Sequence, residues 1–408
     1  MRAKKILAMA IAMGMIVGAT AVPTLAADKK TFVFGDTTFN AENEEADINP
    51  QNTYAGWACI RYGVGETLFR YSDTMEIEPW VAKEYENVDE LTWKITLNDG
   101  VVFSNGRACD GEAVKESLEG LIANNERAAG DLCIDSIEAD GNTITIKTTE
   151  PKPALINYLS DPYGCIIDTE AGITDNGIVI GTGPYVATDL VTDDHLNLVK
   201  NENYWDGEVP LDKVTLKCVD DQTTRSMALQ TGEIDIAYNL KTENLIEFEG
   251  NDNYEIQELQ SLRSTYAFMN QSEGRALSDK ALRQALLRGL DKQTYCDVLL
   301  EGGATAGKAP VPPTLDFGFD DLNDENSYDP EGAKAILEEA GYKDTDGDGF
   351  VETPDGDPLT LDFVIYTSRA ELGVYAQAAQ ASLKEIGINV NLNTVSYETL
   401  LDMRDSGQ

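Results

Sequence analysis

The stretch from Ile180 to Gly207 constrains this chain most, because it sets turn chemistry on both sides of a strand pattern. Ile180–Tyr185 reads IGTGPY. Gly181 and Gly183, each free to take a positive φ, bracket Thr182, and Pro184 follows with φ fixed and no N–H. Tyr185–Lys200 reads as two short strands joined by a turn at Thr192-Asp193-Asp194, with His195 opening the second strand. Asn201–Gly207 (NENYWDG) is a second turn, polar and aromatic.

The N-terminus reads as a secretory signal over Met1–Ala27. Arg2, Lys4 and Lys5 form a basic region, Ile6–Val17 is apolar, and Thr24-Leu25-Ala26-Ala27 supplies small residues for cleavage. The apolar run is short for a membrane span, and no cysteine near the cleavage site suggests a lipid anchor. Removal of Met1–Ala27, with three basic and no acidic residues, leaves 28 basic against 72 acidic residues, a net charge of −44. Such a charge disfavours nucleic acid and anionic membrane surfaces as partners and favours cationic ones. Apolar residues make up 42% of the chain, in periodic blocks, so the acidity does not mean disorder. The expectation is an exported, monomeric chain of two or three domains.

Six cysteines (Cys59, Cys109, Cys133, Cys165, Cys218 and Cys296) form no CxxC pair, and their spacing does not choose disulfide partners. His195 is the single histidine. A histidine triad and a multi-histidine metal site are therefore unsupported.

Along the chain, Thr31–Asp36 reads as a strand, as do Leu91–Leu97 and Gly100–Gly106, the last with its turn. Asp110 caps a helix through Leu121, with Ala113, Val114, Leu118 and Leu121 on one face. Ile134–Ala139 and Thr143–Thr148 form a hairpin, and Pro151–Leu159 a short helix. Val214–Val219 is a strand and Asp221–Leu229 a helix. Ser264–Asn270 is apolar and extended. Helices follow at Ser278–Leu290, Asp329–Ala340 and Glu371–Ile386, the last stopped by Gly387. With strands at Leu359–Tyr366 and Ile388–Asn393, the C-terminal part reads as α/β.

Several of these segments together resemble the extracytoplasmic solute-binding proteins of peptide and nickel ABC importers, the family 5 proteins. They are Ile48-Asn49-Pro50, Glu78–Ala82, Leu97–Gly106 with its capped helix, Ile180–Gly207 and Ala228–Ile236 (ALQTGEIDI). Ile48 stands where the family has leucine, and the tryptophan expected after Val81-Ala82 is missing, with Tyr85 nearby. The resemblance runs over residues 31–408. It implies a two-lobed, type II periplasmic-binding-protein-like α/β fold: a discontinuous first lobe at 28–62 and 181–267, an inserted subdomain at 63–180, and a second lobe from 268, incomplete at 408. It further implies capture of di- or oligopeptides by hinge closure and delivery to a membrane permease, outside the cytoplasm and without covalent chemistry. Nickel- or other metal-chelate capture is the runner-up. A ligand sensor or a secreted hydrolase is the reading from other classes, although no acid pair stands in a catalytic motif.

Candidate ligand contacts are Tyr54, Trp57, Arg61 and Tyr163, since pockets need aromatic walls and a few polar anchors. Arg369, directly after a strand, matches the arginine that holds the ligand carboxylate in dipeptide-binding members; its guanidinium suits that role. In nickel-binding members an arginine follows the helix near Pro151–Leu159, but here the loop is Ser160-Asp161-Pro162-Tyr163-Gly164. Their histidine falls beyond Gln408. Asp344, Asp346 and Asp348 alternate as in the start of a calcium loop, with Gly349 at the sharp turn. An acidic turn before a strand is the preferred reading there, with calcium the minority one.

Overall fold

The computed structural model describes residues 30–41, 47–52, 54–315, 317–366 and 369–408. Met1–Ala27, read from the sequence as a secretory signal, lies outside the described residues, as do Thr367 and Ser368 beside Arg369. The chain divides into two compact units, Met1–Gln257 and Glu258–Gln408.

Unit 1 begins with strand β1 (Thr31–Asp36) and helix α1 (Gly56–Arg61). It then builds a hairpin from β2 (Phe69–Tyr71) and β3 (Ile77–Pro79). A four-stranded antiparallel sheet follows, in the order β4 (Ala82–Asp89), β5 (Thr92–Leu97), β7 (Thr143–Thr148), β6 (Ile134–Asp140). Between β5 and β6 run α2 (Gly111–Asn124) and α3 (Glu126–Leu132). The Asp110 carboxylate accepts the Ala113 N–H at 3.1 Å, an N-cap that satisfies an otherwise orphaned donor. Ala113, Val114, Leu118 and Leu121 are all buried in one core with Trp93, Ile95 and Leu97 of β5 and Ile144 and Ile146 of β7. The alternation along β5 places every second residue inward, as a period-2 strand must.

After α4 (Leu155–Tyr158) the chain returns to its first sheet. Strands β8 (Tyr185–Val191) and β9 (His195–Lys200) form the expected hairpin, with Asp193 at φ 62° in its turn. They join β10 (Lys213–Cys218), β1 and β11 (Ile236–Ala237) in the order β11-β1-β10-β9-β8. β1 is parallel to both β10 and β11. Leu198 opposes Val214, and Leu196 and Phe34 flank Leu216, so one face of this sheet feeds a second core. Helix α5 (Gln222–Thr231) and the short α6 (Thr242–Leu245) complete the unit.

Unit 2 is an α/β unit. Helix α7 (Lys280–Gly289) is capped by Asp279 and followed by the single turn α8 (Lys292–Thr294). Helix α9 (Pro330–Glu339) starts with proline at its first position and an Asp329 cap. Strands β12 (Thr360–Tyr366) and β13 (Asn389–Val395) are parallel, and α10 (Ala370–Glu385) crosses between them. Gly387 ends α10 with φ 81°, as expected. Helix α11 is Tyr397–Asp405. The core gathers Leu282, Ala285, Leu286, Leu337, Leu383, Ile388 and Val390.

One strand expectation changes, and two segments gain definition. Residues 100–106 form no strand, only a Val102–Ala108 bridge, because the turn at Ser104–Gly106 folds the segment back on itself. Residues 264–270 carry no strand pairing in the described structure, and Phe268 is 87% exposed. Trp57, a candidate ligand contact, lies in helix α1. Among the described residues no helix is long and apolar enough to cross a membrane.

Candidate functional site

The glycines of IGTGPY are there for space. Neither Gly181 nor Gly183 takes a positive φ, contrary to the expectation. A Cβ on Gly181 would stand 2.2 Å from the Val64 carbonyl oxygen, and one on Gly183 2.3 Å from that of Gly63. The backbone of 180–185 is thus pressed onto that of 63–65, with Gly183 and Tyr185 N–H groups donating to Val64 and Gly63 carbonyls at 3.0 and 2.9 Å.

This seam buries Glu66. Its carboxylate accepts from the Tyr204 hydroxyl at 2.9 Å and from Trp205 Nε1 at 2.8 Å, tying the NENYWDG turn to the segment after α1. Burial pushes the Glu66 pKa up to about 7, against the lowering effect of those donors. The Thr182 hydroxyl is buried without a hydrogen bond of good geometry, although it lies close enough to Glu66 to lower its pKa.

The candidate ligand residues of unit 1 gather around α1. Trp57 is exposed and lies one helical turn from the half-buried Arg61, so the two share a face. Arg61 donates weakly to Thr38 Oγ1 at 3.5 Å and lies 5.8 Å from the Tyr238 ring centre. Thr38 and Tyr62 converge on Asp36 at the C-terminal end of β1, the end at which parallel sheets most often receive ligands. A Cβ on Gly56 would stand 2.4 Å from the Pro162 carbonyl oxygen, so α1 packs directly on the turn at Pro162–Gly164.

Arg127 of α3, which sequence reasoning missed, joins two of the candidates. Its guanidinium lies 5.4 Å from the Tyr54 ring centre and 4.9 Å from that of Tyr163, and it pairs with Asp161. These are cation–π distances. The Ser160–Gly164 loop, which has no arginine of its own, therefore holds one from α3. Tyr54 is 36% exposed, whereas Tyr163 is 2% exposed and donates to Asp131 at 3.4 Å. Tyr54 thus offers a surface, and Tyr163 supports Arg127 from below.

In unit 2, Arg369 stands exposed at the start of α10, its Nε 3.1 Å from the Tyr366 hydroxyl. Asp344, Asp346 and Asp348 are exposed and offer oxygens all within 4.8 Å of one another. Each also accepts backbone N–H groups of its own turn: Asp344 from Gly347 and Gly349, Asp346 from Asp348, and Asp348 from Phe350. This geometry places three hard oxygens together, and it also shapes an acidic turn without any ion.

Residues 76–408 match the family described as bacterial extracellular solute-binding proteins, family 5 middle. The nickel-binding protein NikA of Staphylococcus aureus is 28% identical over 336 residues, 82% of this chain and 65% of the relative. The chain thus spans about two-thirds of that relative's length. A glutathione-binding protein of Pectobacterium atrosepticum is 28% identical over 94% of this chain and 73% of the relative. Among solved structures, S. aureus NikA in complex with Ni(L-His)2 superposes with a TM-score of 0.74 at 26% identity, over 92% of this chain and 76% of that one.

Proposed function

Since the chain belongs to the bacterial extracellular solute-binding proteins of family 5, we propose that it is the substrate-capturing component of an ABC importer, taking di- or oligopeptides outside the cytoplasm and delivering them to a membrane permease. The observation that carries a ligand surface is the exposed Tyr54 beside the Arg127 guanidinium, with Trp57 exposed on α1. Aromatic faces bind peptide side chains and backbone, and a guanidinium attracts carboxylates. In this reading Tyr54, Trp57 and Arg61 contact ligand, Tyr163 acts through Arg127, and Arg369 holds a peptide carboxylate. Capture by hinge closure belongs to the same proposal: ligand shifts the equilibrium only by its differential affinity for the two states. No covalent step is required.

Metal-chelate capture is the second reading. It is favoured by the nickel-binding relatives and by the arginine that Arg127 supplies at the Ser160–Gly164 loop. A chelate brings most of its own ligands, so a chain with one histidine can hold it through aromatic and guanidinium contacts. Native mass spectrometry of the complete secreted gene product separates the two. A set of peptide adducts supports the first reading and a single metal-containing adduct the second. Trp57→Ala is expected to weaken either adduct at least tenfold, and unchanged affinity would remove the α1 surface from the site.

A further inference from the structure

Two cysteines converge on the space that a side chain at Gly65 would fill. The Cys59 sulfur is 2.7 Å from the point a Gly65 Cβ would occupy, and the Cys165 sulfur is 3.4 Å from that same point, with the Cys165 Cβ at 3.0 Å. The backbone holds both cysteines there. The Cys59 carbonyl accepts the Val64 and Gly65 N–H groups at 3.0 and 3.3 Å, and the Glu66 carbonyl accepts the Ile166 N–H at 2.9 Å. Both side chains are buried in the same core. The other four cysteines have different surroundings. Cys133 meets the Gly130 carbonyl and Glu150, Cys218 meets Asp220, Cys109 packs in the core of the four-stranded sheet, and Cys296 belongs to unit 2.

We propose that Cys59 and Cys165 are joined by a disulfide when the chain folds outside the cytoplasm, where thiols oxidise. Two thiols lose two electrons and two protons as the sulfur–sulfur bond forms. A small-molecule disulfide such as oxidised glutathione accepts them, its own bond breaking to give two thiols. The attacking species is a thiolate. Burial in the finished core holds Cys165 as a thiol, so the exchange belongs to folding, before the seam over Gly65 closes. Once formed, the bridge is shielded from reductant by the same burial. It fastens α1, which carries Trp57 and Arg61, to the segment leaving the Pro162–Gly164 turn.

The test refolds the reduced, denatured full-length chain with oxidised glutathione, caps free thiols with iodoacetamide under denaturing conditions, and maps peptides without reduction. The expected result is one cross-linked pair containing Cys59 and Cys165, 2 Da lighter than the two thiol peptides, with Cys109, Cys133, Cys218 and Cys296 alkylated. Alkylation of both Cys59 and Cys165, or a bridge from either to another cysteine, overturns the proposal. A second reading uses melting temperature without reductant: Cys59→Ser and Cys165→Ser should each lower it, and the double variant no further. Additive losses would mean two independent buried thiols and overturn the bridge.

Discussion

Two loops of this molecule carry glycines beside acids, and they use both in opposite ways. In the seam at 180–185, Gly181 and Gly183 have ordinary backbone angles and are glycine because another backbone lies where a side chain would begin. In the loop at 344–350, Gly347 and Gly349 have φ of 83° and 94° and open space around them. The seam holds one acid, Glu66, buried and shifted. The loop holds three, all exposed. Enclosure, not the number of acids or glycines, decides which loop responds to its surroundings.

The largest expected effect tests the glycines. Gly181→Ala should destabilise unit 1 by about 3 kcal/mol, since a backbone carbonyl cannot move aside as a side-chain tip can. Gly347→Ala should cost only about 1 kcal/mol, the penalty for an L-residue at positive φ. Denaturant unfolding of both variants checks this, and equal losses would break the comparison. An effect of similar size is the pH response of Glu66. Its folded pKa is raised from 4.5 to about 7, so its contribution is fully present below 4.5 and is lost as pH rises through 7. The loss approaches about 3 kcal/mol for such a shift. Glu66→Gln keeps the shape and cannot ionise, so its stability relative to the unsubstituted chain should rise between pH 5 and pH 8. Parallel curves would show that Glu66 is ionised throughout. The smallest effect concerns the exposed acids. Millimolar calcium should leave the melting temperature unchanged if the three carboxylates serve only their turn. A rise that Asp346→Ala abolishes would instead assign them a cation.

The elements read correctly were those whose ends or periods are written locally. Asp110 and Asp329 cap their helices, Gly387 stops α10, and the β8–β9 hairpin has a turn between two alternating runs. β4 escaped because most of Ala82–Asp89 is exposed and shows no alternation; its pairing with β5 makes it a strand. Residues 264–270, read as apolar and extended, stay unpaired, because composition does not supply a pairing partner. Within the site, Tyr54 and Trp57 were legible as aromatics beside a proline-bearing turn. Arg127 was not, because only folding brings it to Tyr54 and Asp161. Glu66 had a weak signal: it is an acid in the run VGETLF, between Val64 and the apolar pair Leu68-Phe69.

The position of β1 has a consequence for the order of folding. Its Val33 N–H bonds to the Asp235 carboxylate, 202 positions away in the chain, and its strand partners are β10 and β11. A chain entering a new compartment from its N-terminus exposes β1 well before its partners. In the antiparallel four-stranded sheet between them, β4–β5 and β6–β7 join neighbours in sequence, and β5–β7, pairing Thr96 with Thr143, still closes a far shorter loop than β1–β10, so its nucleation is entropically favoured. Amides of Ile144 and Ile146 should therefore gain exchange protection before that of Phe34 during refolding, and simultaneous protection would refute this order. In the interval β1 is an unpaired edge with Phe32 and Phe34 on it, open to pairing with another chain. The early-folding sheet shortens that interval by drawing the two ends of unit 1 together.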